Sequence, residues 1–121
     1  MRRWVLAFGL LWAGCTARQR ADVLWLPGRD YDFGEVGQGV PVRTTFRFRN
    51  NMRDSLRVEV IRTTCGCTSY EWSGEAVAPG DTGEVVLEYD AFRPGGFRKR
   101  AMVFFYGIRR PEYLVIRGEV E

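Results

Sequence analysis

The feature that most constrains this chain is a hydrophobic period of two, interrupted by turn-forming residues roughly every eight to twelve positions from Val23 onward. Successive side chains on a strand point to opposite faces, so this pattern calls for sheets with one face covered and one in water. Val42, Thr44, Phe46 and Phe48 alternate with Arg43, Thr45, Arg47 and Arg49, predicting a strand with an apolar inner face and a cationic outer one. Turn chemistry follows at 50–54, and Leu56, Val58 and Val60 then alternate with Arg57 and Glu59, so these two strands are expected to pair as a hairpin.

The same reading predicts strands at 85–89, 97–106 and 113–120, separated by the turn-rich segments 79–83, 93–96 and 107–111. Leu114, Ile116, Gly118 and Val120 share one face of the last strand. The apolar end of 97–106 marks it as a central strand covered on both sides. Shorter strands fit 23–26, 31–35 and 69–72, and no segment carries a convincing helical period. The expected fold is all-β: an immunoglobulin-like antiparallel β-sandwich of about seven to eight strands.

With 121 residues, 45% of them hydrophobic, there is room for one well-cored domain and not for two. The chain contains no histidine, which removes the commonest general base, the commonest zinc ligand and any Ser-His or Cys-His pair. A non-enzymatic protein without a cofactor is therefore expected.

Residues 1–3 are basic and 4–13 form an uncharged, largely apolar run before Gly14 and Cys15. As a helix that run would span only about 15 Å, half the hydrocarbon core, so it reads as a signal peptide rather than a membrane anchor. Ala13, Gly14 and Cys15 resemble a bacterial lipobox, although Trp12 departs from the aliphatic residue usual there. The resemblance implies cleavage after residue 14 and lipidation of Cys15, with 16–22 as a polar tether and 23–121 as the folded domain. Losing Arg2 and Arg3 with the leader lowers the formal charge from +3 to +1, so net charge points to no particular partner. The expected address is the cell envelope, as a membrane-anchored lipoprotein facing the periplasm or the outside, with simple secretion to the periplasm as the alternative.

Several motifs occur in one order: Tyr31-Asp32-Phe33-Gly34 with Gly37, Phe46 to Asn50, Cys65-Gly66-Cys67-Thr68, Pro79-Gly80-Asp81 with Gly83, Tyr89-Asp90, Gly96-Phe97, and Leu114 to Gly118. Together they resemble the bacterial domain-of-unknown-function family 1573, whose members are similar to the major sperm protein and Hydin-type sandwiches. The resemblance spans 30–120, with Asn51 and Met52 standing where a glycine often follows the asparagine. It implies an envelope-located, non-catalytic sandwich and supplies no catalytic residues.

Cys65 and Cys67 carry the most distinctive chemistry. Two apart on a strand, their Cα atoms would lie about 6.6 Å from each other, near the upper limit for a disulfide, and Gly66 could let the backbone buckle. Four readings stand: a disulfide or local turn lock, two unpaired thiols, a thiol-disulfide exchange or redox-sensing pair, and a soft-metal site. The metal reading would draw on Met52 or Met102. Thr63, Thr64, Thr68 and Ser69 could hydrogen-bond the sulfurs, and Arg62 could favour a thiolate.

Arginine supplies 17 of the 18 cationic residues. Arg43, Arg47, Arg49 and Arg57 are expected to line one solvated face, with Arg98, Lys99 and Arg100 elsewhere. Such a face could meet anionic polymers or headgroups, whereas nucleic acid is not an expected partner. Asp30, Asp32 and Glu35 lack the ligand spacing of a calcium loop. Trp25, Trp72, Phe92, Tyr106 and Tyr113 read as packing residues, with one or two free to anchor a partner. The function expected is a binding or scaffolding module, recognising a protein or envelope polymer through sheet edges and loop tips. Its rivals are a redox or metal-handling protein built on Cys65 and Cys67, and a hydrolase using carboxylates alone.

Overall fold

A computed structural model describes residues 23–121, so the expected leader, Cys15 and tether lie outside the described residues. Eight strands follow one another: β1 (Val23–Leu26), β2 (Asp30–Val36), β3 (Val42–Asn50), β4 (Val58–Thr63), β5 (Thr68–Trp72), β6 (Thr82–Tyr89), β7 (Gly95–Phe105) and β8 (Glu112–Val120). They form two four-stranded sheets, ordered β1-β3-β6-β5 and β2-β8-β7-β4. No described residue is helical. This is the expected all-β sandwich, with one departure from antiparallel pairing: β2 runs parallel to β8.

The predicted hairpin between β3 and β4 does not form. β3 pairs with β1 and β6, whereas β4 pairs with β7 in the opposite sheet. The connection at 51–57 therefore crosses from one layer to the other. Leu56 precedes β4 and makes only an isolated bridge to Val77. A register shift between Val58 and Val60 then changes the strand's phase, burying Ile61 and leaving Val60 half-buried.

The alternation delivers the core. Phe46 and Phe48 of β3, Val85 and Leu87 of β6, Ala101, Val103 and Phe105 of β7, and Leu114 and Ile116 of β8 are all buried between the sheets. Each large aliphatic or aromatic side chain withdrawn from water this way stabilises by about 1.5–3 kcal/mol. β7 is central, as expected, but only its inner face is dry: Met102 and Phe104 on the outer face remain half-buried. Arg62 lies over the Phe104 ring, and Arg100 lies over Tyr113.

Two strand glycines make room for rings. The Phe48 ring fills the space where a Cβ of Gly83 would stand, and the Phe97 ring does the same at Gly118. Phe97 also stacks on Tyr89 with ring centroids 4.0 Å apart, joining the sheets near one end.

Candidate functional site

The sandwich has two unlike ends. Val23 pairs with Asn50, so β1 enters at the end bearing the connections 51–57, 73–81 and 106–111. The opposite end, about 26 Å away along β3 at 3.3 Å per residue, gathers the connections 37–41, 64–67 and 90–94. This far tip carries Cys65 and Cys67.

Cys65, Gly66 and Cys67 lie in a turn, not on a strand. They cross from the edge strand β4 of one sheet to the edge strand β5 of the other. The turn brings the two Cα atoms to 5.2 Å, closer than strand spacing allows, and the sulfurs are joined as a disulfide. Both cysteines are half-buried, while Gly66 is exposed with open space where a Cβ would stand. The Cys67 amide N–H donates to Cys65 Sγ at 3.2 Å, and the Thr68 hydroxyl lies 3.8 Å from Cys67 Sγ. The Cys65 carbonyl accepts the Thr68 N–H at 3.2 Å and the Thr63 hydroxyl at 3.3 Å. Of the neighbours expected to act on the sulfurs, Thr68 is in reach and Thr63 holds the turn's backbone. Arg62 is on the outer face, over the Phe104 ring.

The tip loops are tied together through this turn. The Cys67 carbonyl accepts the Asp90 N–H at 3.0 Å. Gly39 N–H donates to the Ala91 carbonyl at 2.8 Å, and Gln38 Nε2 donates to the Phe92 carbonyl at 3.2 Å. Ala91 is fully buried at φ 58°, a left-handed backbone rarely adopted by residues other than glycine. Its neighbour Phe92 is 68% exposed, and Val40 on the adjoining loop is 58% exposed.

The other predicted sites fare differently. Met52 belongs to the end at which β1 enters, its N–H bonded to Asn50 Oδ1, and Met102 faces outward on β7, so neither joins Cys65 and Cys67 in a metal site. Asp30 and Asp32 flank Arg117 at 3.0 and 3.9 Å, which accounts for them as ion-pair partners. Among the described residues no cluster of three or more His, Cys, Asp or Glu side chains is arranged to hold a metal ion.

The expected arginine face is interrupted: Arg47 pairs with Glu84 at 3.1 Å and Arg43 with Glu71 at 2.9 Å. Arg57 leaves that face altogether, donating to the Gly74 carbonyl at 2.7 Å beside Tyr106. The pleat likewise splits Arg98 and Arg100 from Lys99, which shares the inward phase of Phe97 and Ala101. Trp25 is buried in the core, whereas Phe92, Tyr106 and Tyr113 are exposed. A concavity beside β5 is lined by Glu71, Glu75, Asp81 and Glu84. All four are solvent-exposed, and two of them, Glu71 and Glu84, are ion-paired.

A sequence model of the family described as "Protein of unknown function (DUF1573)" matches residues 26–120. This chain belongs to that family. The DUF1573 match begins slightly before the span carried by the motifs and encloses the whole tip. No curated protein sequence matches the chain.

Solved structures share the fold at low identity. A protein of unknown function from Porphyromonas gingivalis W83 is 13% identical with a TM-score of 0.68, over 80% of this chain and 46% of that one. The ASH/PapD-like domain 7 of human CEP192 is 7% identical with a TM-score of 0.68, over 84% of this chain and 86% of that one. The secreted serine protease VesC from Vibrio cholerae is 12% identical with a TM-score of 0.65, over 86% of this chain and 24% of that one. This DUF1573 chain thus spans under half of the two bacterial chains, and what they share with it is the immunoglobulin-like sandwich.

Proposed function

We propose that this protein is a cell-envelope binding or scaffolding module, held at a membrane through lipidated Cys15, with no reaction of its own. Its partner is another protein or an envelope polymer, met at the tip. The observation that carries this reading is the polarity of the sandwich. Val23 enters at one end, while the exposed Phe92 and Val40 stand at the other, beside loops tied by main-chain hydrogen bonds. An anchor at Cys15, with 16–22 as tether, would present that tip away from the lipid surface. Aromatic side chains on a braced loop make effective anchors because little entropy is lost when they are covered.

Two measurements test it. Radiolabelled palmitate should enter the wild type and not Cys15→Ser, and an unlabelled wild type would remove the anchor. A photo-crosslinker at position 92 or 40 should capture a discrete partner in intact envelopes, whereas the same group at position 98, on an outer sheet face, should not. Equal capture at all three positions would remove the tip as the binding surface.

A further inference from the structure

Cys65 and Cys67 close a ring containing a single intervening residue, and they do so in a turn outside both β ladders. So short a loop restricts the unfolded chain little, which means the bond adds little to global stability and its loss need not unfold the sandwich. What it does brace is local. The carbonyl of Cys67 holds Asp90 and so the loop bearing Phe92, and that loop in turn holds Gln38 and Gly39 beside Val40.

We propose that the Cys65–Cys67 disulfide is an exchangeable bond, opened by a dithiol on a partner protein, and that its opening loosens the binding tip. This deepens the scaffold reading by giving its tip a control, and it does not depend on the lipid anchor. A surface depression lined by Thr64, Cys65, Gly66 and Tyr70 gives a thiolate access to Cys65, whereas Cys67 packs against the core. The Thr68 hydroxyl, 3.8 Å from Cys67 Sγ, is placed to donate to a thiolate formed there. The partner's thiolate therefore attacks Cys65 Sγ. A partner–Cys65 bond forms, the Cys65–Cys67 bond breaks, and its electron pair leaves on Cys67, which takes up a proton. The partner's second thiol, giving up its proton, then attacks the partner sulfur of the mixed disulfide. The Cys65 thiolate departs and is protonated. Two electrons and two protons have passed to Cys65 and Cys67, and the partner dithiol has become a disulfide.

The test uses the full chain, mixtures of reduced and oxidised glutathione and, as the dithiol probe, dithiothreitol. After equilibration under native conditions and alkylation, peptide masses report thiols at Cys65 and Cys67. The expected result is reversible conversion from disulfide to dithiol while the folded signal persists. Amide hydrogen exchange should rise about tenfold or more at 65–69 and 90–92 on reduction, and stay unchanged in the β7–β8 ladder. Cys65→Ser combined with Cys67→Ser should show the same raised exchange without reductant. Should that variant fail to fold, the wild-type titration decides alone. Three outcomes overturn the proposal: sulfurs that stay bonded in excess dithiothreitol, reduction that unfolds the whole domain, and reduction that leaves tip exchange unchanged. None of these bears on palmitate labelling, so the two readings fail separately.

Discussion

Asn50 joins connections far apart in the chain. Its buried side chain donates to the carbonyls of Asp54 at 2.9 Å and Val77 at 2.8 Å, and accepts the Met52 N–H at 2.8 Å. Asn50→Ala removes all three bonds and leaves two carbonyls without this donor, so a loss of about 2–4 kcal/mol is expected. Denaturant unfolding measures it, and a change within the range of ordinary surface substitutions would contradict the role. The sequence marks Asn50 only as a turn residue, because Val77 meets it through tertiary structure alone.

Tyr89 couples stability to pH at the alkaline end. Burial pushes its hydroxyl pKa above the ordinary 10.0, helped by Asp90 and opposed by Arg93. The unfolded chain therefore gives up this proton first. The stability tied to Tyr89 is fully present below about pH 10 and declines as pH rises through the folded value. Tyr89→Phe should flatten the alkaline decline seen in thermal melts from about pH 10 upward, and an unchanged slope would assign that decline to other groups.

At the scale of elements, nearly every strand was visible in the alternation, from β1 to β8, while the partner of each strand was not. Alternation says which face is covered but is silent on which neighbour completes the ladder. The β3 phase fits β6 because Arg47 meets Glu84 and Arg43 stands opposite Glu88, yet the same phase would serve a hairpin with β4. Strand spacing would hold the Cα atoms of Cys65 and Cys67 about 6.6 Å apart, whereas the turn that forms between β4 and β5 brings them to 5.2 Å.

The parallel contact of β2 with β8 depends on Gly118. A Cβ there would stand 2.9 Å from the Gly34 carbonyl oxygen and 2.9 Å from the Phe97 ring. Gly118→Ala should therefore cost about 1–3 kcal/mol, the usual cost of overpacking. Gly96, which pairs with Glu119 one step along the ladder, meets nothing closer than 4.0 Å. Gly96→Ala is the control and should change little; equal losses at both positions would refute the close-approach argument.

As a whole molecule the two sheets share one core, so neither layer has an apolar interior of its own. Leu87 lies in one sheet and Ile116 in the other, and both are buried. Leu87→Ala and Ile116→Ala should each cost about 2–5 kcal/mol and lower the same single transition. Two separate transitions in calorimetry would show that the layers unfold independently. Fold class, the approximate strand positions and the inward-facing residues of β3, β6 and β8 were determined by the sequence alone, because a period of two encodes burial locally, one residue at a time; the phase of β4 was not. Tertiary structure decided the layer each strand joins, the crossing of 51–57 between sheets, and the gathering of Cys65, Cys67, Val40 and Phe92 at the end opposite Val23. Those depend on contacts between residues distant in the chain, and no local pattern of apolar and polar side chains specifies which distant segment will close a given edge.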